Sequence, residues 1–165
     1  MSAPYSAKAV ANNFLAKDRL TQMRLQKLLY YAHGWHLGFQ EEPLLDETLE
    51  AWRYGPVAPS IYREFAQFGA TPIDCFATEF DPLHEDFLRN PQIDASDKSV
   101  RDLLARVWEV YGDYAAAQLS GLTHATDSPW TVTRENDPGV KYVGIPNDVI
   151  RSHFMQRIQR ARNAP

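Results

Sequence analysis

Leu25, Leu28, Leu29 and Ala32 fall at i, i+3, i+4 and i+7, the spacing of a single apolar stripe on a helix that Thr21 would cap. Tyr31 and Trp35 lie beside the stripe, and Arg24, Gln26 and Lys27 fall off it. The pattern predicts a central helix ending near Gly38, and a stripe this apolar requires other elements packed over it.

Ser6 is placed to cap a preceding helix over residues 7–17, with Val10 and Phe14 on its inner face. Residues 44–54 carry Leu44, Leu45, Leu49, Trp52 and Tyr54 without a helical period, which predicts one or two short strands or a hairpin. Tyr54-Gly55-Pro56-Val57 reads as a turn, and Pro59 as the first residue of a helix carrying Ile61, Tyr62 and Phe65 and ended by Gly69. Residues 70–96 read as an acidic surface connection with a helical turn near His84 and Leu88. The clearest period follows: Val100, Leu103, Leu104, Val107, Trp108 and Tyr111 form a helix begun at Ser96 or Asp97, stopped at Gly112 and expected to pack on the central one. Asp113 is expected to cap a shorter helix to about His124. Turns are expected at 127–130 and 136–139, extended chain at 140–145, and a last helix from Pro146 with Val149, Ile150, Phe154 and Ile158 inward. The fold class is mainly α with a minor β element: five to seven helices in one domain over residues 1–165.

Composition narrows the function classes. The 165-residue chain is 44% hydrophobic and 12% aromatic, which excludes wholesale disorder and predicts a core rich in rings. Its one cysteine, Cys75, leaves no intramolecular disulfide framework, and with no signal-like or membrane-spanning run the expected location is the cytoplasm. A net charge of −4 argues against nucleic acid as the default partner.

Candidate chemistry is sparse. His33 and His36 are three apart on the central helix, but no acid or cysteine there completes a metal set. Ser120, His124 and Asp127 are the one local grouping resembling nucleophile, base and orienter, without the glycine-flanked elbow or oxyanion donors such chemistry needs. Glycine-rich phosphate loops are absent, so no catalytic, cofactor or metal residue is assigned. Two charge features remain. Between Asp74 and Asp97 stand Asp74, Glu79, Asp81, Glu85, Asp86, Asp94 and Asp97 against Arg89, and the last helix carries Arg151, Arg157, Arg160 and Arg162. Together with the aromatic surplus, these supply candidate partner contacts at the acidic stretch, at Tyr54 and Tyr62, and at the four arginines.

Three stretches in order carry a resemblance. They are Leu25-Gln26-Lys27-Leu28-Leu29-Tyr30-Tyr31-Ala32, then Glu50-Ala51-Trp52-Arg53-Tyr54-Gly55-Pro56-Val57, then Leu119-Ser120-Gly121-Leu122-Thr123-His124 followed by Pro129-Trp130. They resemble the Panacea-domain family over about residues 5–155, a family that includes phage-associated proteins and the antitoxins of toxin–antitoxin pairs. The resemblance implies a binding protein that neutralises a cognate toxin, usually encoded by the adjacent gene, by direct contact. One branch instead delivers its toxin to a Clp-type protease. The resemblance begins almost at Met1, without the added N-terminal DNA-binding segment of some relatives, which counts against repression of its own operon. The alternatives carried forward are the proteolytic adaptor, a DNA-binding regulator using the last helix and, last, a hydrolase built on His124 with Ser120 or Asp127.

Overall fold

The computed structural model describes residues 3–165. Seven α-helices occur among them: α1 (Ala7–Leu15), α2 (Gln22–Gln40), α3 (Pro59–Phe65), α4 (Lys98–Tyr111), α5 (Ala116–Thr123), α6 (Pro129–Asn136) and α7 (Asn147–Asn163). The β structure is minor. Strands β1 (Glu50–Trp52), β2 (Gly55–Val57) and β5 (Val143–Gly144) form an antiparallel sheet of order β2-β1-β5, while β3 (Glu79–Asp81) and β4 (His84–Arg89) form a separate hairpin. The expected mainly helical class with a small β element is what the chain adopts.

Helix α2 runs through the centre. Thr21 caps it by accepting from the Arg24 amide, as expected, but it continues past Gly38 to Gln40, where Glu41 takes the left-handed cap at φ 60°. Gly38 is needed for packing instead: a Cβ there would meet Ile158 and Phe154 of α7 at 3.0 Å. One turn earlier, a Cβ on Gly34 would lie 2.1 Å from the Phe154 ring. These two glycines let α7 lie against α2, the most extensive helix pairing in the molecule. The single stripe is also corrected. Gln26 and Lys27, expected on the polar side, are buried with the leucines, because α1, α3, α4, α5, α7 and β2 all pack on α2.

Aromatic contacts fasten the remaining helices. Tyr31 stacks on Tyr111 of α4 at 4.0 Å, and Trp35 Nε1 donates to the Tyr111 hydroxyl at 3.0 Å. Asp97 caps α4 through the Val100 amide, as the pattern indicated. Phe154 meets Tyr30 and Trp35 edge-on at 5.8 and 4.9 Å.

Four further boundaries differ from expectation. Residues 84–88 extend within β4 rather than forming the expected helical turn, since Phe80 pairs with Leu88 and Glu79 with Arg89 across the hairpin. Gly55, Pro56 and Val57 are strand; the turn is Arg53-Tyr54, with Trp52 opposite Gly55. Pro56 is tolerated because β2 is an edge. Asp127-Ser128-Pro129-Trp130 contains a helix start, with the Ser128 hydroxyl accepting from the Thr131 amide and Pro129 in the first turn. Asp113 does not cap α5; the Gln118 side chain accepts from the Ala115 amide at 2.9 Å.

His33 ties α2 to its surroundings. Its Nδ1 accepts from the Leu45 amide at 3.3 Å, which places the ring proton on Nε2, 2.9 Å from Asn147 Oδ1. Burial, offset in part by that bond, lowers its pKa from 6.5 to about 4. The unfolded chain therefore takes up the proton first. Stability falls as pH drops from 6.5 towards 4, by roughly 3 kcal/mol from this residue. Urea unfolding across that range is expected to show the slope reduced in His33→Gln. Gly34→Ala is expected to lose roughly 1–3 kcal/mol despite the better helix propensity of alanine, read as a lower urea midpoint.

Candidate functional site

The three motif stretches, far apart in the chain, meet around the β1–β2 hairpin. Leu25, Leu28 and Tyr30 face the core. The neighbouring Gln26 reaches the hairpin's exit: its Oε1 accepts from the Ala58 amide at 2.8 Å while its Nε2 donates to the Ala58 carbonyl at 3.3 Å. Lys27 is 2% exposed and donates from Nζ to the Tyr54 carbonyl at 2.6 Å. Burial pushes its pKa from 10.5 down to about 8, so it remains largely a cation at neutral pH, held by a carbonyl oxygen. An ammonium out of water needs such an acceptor.

Gly55 explains the shape of the turn. Its φ is +127°, and a Cβ would sit 2.2 Å from Lys27 Nζ and 3.3 Å from Thr123 Oγ1. Backbone freedom and absent bulk are both required there. From the other side, Ser120 Oγ donates to the same Tyr54 carbonyl at 3.4 Å. Trp130 Nε1 donates to the Trp52 carbonyl at 2.7 Å, and Arg134 Nη1 to the Ala51 carbonyl at 3.0 Å. Pro129 is buried at the start of α6, and Ser128 joins α6 to α5 by donating to the Thr123 carbonyl at 2.6 Å.

His124 packs against Trp130, with ring centroids 4.0 Å apart and the planes tilted by 31°. Burial lowers its pKa, and the charges of Lys27 and Arg134 push the same way. Ser120 bonds to the hairpin backbone rather than to His124, and Asp127 is exposed, its charge acting on His153, whose pKa burial lowers. The structure does not assemble the nucleophile–base–orienter grouping. His33 and His36 point to different partners, His36 Nδ1 lying 2.7 Å from the Glu42 carbonyl. No group of three or more potential metal ligands occurs among the described residues.

The chain belongs to the SocA-like antitoxins of the Panacea-domain family. The family model, "Antitoxin SocA-like, Panacea domain", matches residues 25–131, the span that holds all three motifs. The chain is also 35% identical over 159 residues to Antitoxin SocA of Caulobacter vibrioides (strain NA1000 / CB15N), covering 90% of this chain and 81% of that protein. No solved structure matches.

In this Panacea domain most motif residues are therefore struts, and the solvent-facing rings stand in the second motif and beside it. Tyr54 is exposed, with the Arg53 guanidinium 5.3 Å over its ring. Trp52, partly exposed, is flanked by exposed Tyr62 and Tyr142, each ring 4.8 Å away. Tyr142 was not among the sequence candidates, because its pairing with Trp52 depends on β5 joining β1. The four arginines of α7 do not make one basic face. Arg151 pairs with Asp148 at 3.2 Å and Arg157 packs 5.2 Å over Trp35. Arg160 lines a shallow hollow, and both it and Arg162 are exposed.

Gly55→Ala is expected to cost roughly 1–3 kcal/mol of stability. Gly121→Ala, where a Cβ meets open space, should be neutral or up to about 1 kcal/mol stabilising. Urea titration of both variants checks the contrast.

Proposed function

We propose that this chain is an antitoxin that neutralises a cognate protein toxin by binding it directly, as one domain over residues 1–165 acting in the cytoplasm without catalytic chemistry or cofactor. Kinship along nearly the whole chain to Antitoxin SocA supports the antitoxin role. The observation that carries direct binding is the Tyr62–Trp52–Tyr142 row with adjoining Tyr54 and Arg53. Tryptophan, tyrosine and arginine dominate protein interfaces, since their large rigid surfaces bury well at small entropic cost. Here Trp52, Arg53 and Tyr54 stand on a hairpin whose backbone is pinned from three sides, with Tyr62 of α3 and Tyr142 beside β5 packed against Trp52, so the presenting surface is organised before a partner arrives. A nucleic-acid role is less well supported, because two of the four α7 arginines are already engaged. No helix among the described residues is long and apolar enough to cross a membrane.

Co-expression with the product of the adjacent reading frame tests this. The neighbour alone should arrest growth, and this chain should restore growth and co-elute with it at fixed stoichiometry. Trp52→Ala is expected to weaken that complex by about 2 kcal/mol or more with the helical circular dichroism preserved. Rescue with loss of the neighbour protein but no stable complex favours delivery to a Clp-type protease. A harmless neighbour that does not co-elute removes the support for direct neutralisation.

A further inference from the structure

The β3–β4 hairpin is the least expected part of the surface. It carries large apolar side chains that the fold does not use: Phe80 is 67% exposed, Leu83 86%, Phe87 67% and Leu88 62%. Phe80 and Leu88 are cross-strand partners on one face, Leu83 sits at the tip, and Phe87 occupies the other face. Both outer edges of this two-stranded sheet lack a neighbouring strand among the described residues. A two-stranded hairpin gains little stability on its own, and exposed apolar side chains of this density mark an interaction site.

The base of the hairpin, in contrast, is built firmly into the fold. Buried Asn12 of α1 grips both feet: its amide donates to the Ala77 and Pro91 carbonyls at 3.0 Å each, and its Oδ1 accepts from the Ala77 amide at 2.8 Å. Beside it, Lys8 donates to the Thr78 carbonyl at 2.8 Å and pairs with Glu64 at 3.1 Å. Glu64 in turn accepts from the Thr78 amide at 3.0 Å. The feet are fixed while the apolar tip is held out in water.

We propose that the 79–89 hairpin is the element this antitoxin inserts into its toxin, in an apolar cleft rimmed by lysine or arginine. The proposal rests on the antitoxin reading above. Charge complementarity selects the occupant. Residues 79–89 carry four carboxylates against one guanidinium, and that one, Arg89, is already bonded to Glu79 at 2.8 Å. Asp81 accepts from the Leu83 amide at 2.8 Å, and the segment keeps a surplus of negative charge that a basic rim answers and that steers the encounter. A second copy of this chain, at net charge −4, offers repulsion instead. An anionic membrane surface repels the same carboxylates.

The test uses the full chain and the growth-arresting product of the adjacent reading frame. Leu83→Asp at the tip and Asp86→Lys on the strand are expected to weaken the complex about tenfold or more each, with urea midpoints at the wild-type value. Phe80→Ser combined with Leu88→Ser should abolish growth rescue. Amides of residues 79–89 should gain hydrogen-exchange protection in the wild-type complex, a readout that needs no variant to fold. Wild-type affinity in every variant, with these amides unprotected, overturns the hairpin proposal and leaves the antitoxin reading standing. Variants that lose only self-association assign the face to a second copy and likewise overturn it. If the wild-type chain neither binds nor neutralises that product, both readings fall together.

Discussion

A helix buried on every side keeps only those polar side chains whose partners are buried with it. In α2 this constraint decides most of the architecture. Gln26, Lys27, His33 and His36 are all buried, and each takes a different piece of backbone or side chain as its partner: Ala58, Tyr54, Leu45 with Asn147, and Glu42. Leucine packing alone would let the surrounding elements slide. Directional bonds from one rigid rod fix where the hairpin, the chain after α2 and α7 must lie.

The same constraint explains why the family's motifs are widely separated in sequence. Lys27 can be buried only if an oxygen reaches it, and the Tyr54 carbonyl can do so only if the next residue has no Cβ and accepts φ +127°. Trp130 and Arg134 then hold the far strand by its carbonyls. A change in one stretch therefore leaves an unsatisfied group in another. The partly exposed Trp52 and the exposed Tyr54, Tyr62 and Tyr142 carry none of these backbone bonds through their rings, so their outer faces stay open to a partner.

Helix positions were legible in the sequence because their signals are local. The periods in α2 and α4 and the capping groups Ser6, Thr21 and Asp97 needed no tertiary information. Errors arose where partners are distant. Gln26 and Lys27 look like solvent-facing residues until the hairpin is folded over them, and Gly38 resembles a helix stop until α7 fills the space beside it. The β3–β4 segment was read by its charge, which hid its apolar residues, and its strands are set by pairing across a turn rather than by periodicity. Ser128-Pro129 did carry a local helix-start signal, overshadowed by the turn propensity of the same residues. The motif cluster was legible as motifs, but its geometry was not, since the three stretches touch only in the folded chain.

The close seat of α7 on Gly34 and Gly38 also sets an order of events during synthesis. Phe154 follows Gly34 by 120 positions, so at about 5–20 residues per second the ribosome leaves one side of the central helix uncovered for roughly 6–24 s. During that interval the nascent chain carries Tyr30 and Tyr31 without their final cover. Chaperones and proteases would compete for it before it can hold any partner. The supply of competent protein is thus governed partly by how quickly its last helix is made and docked.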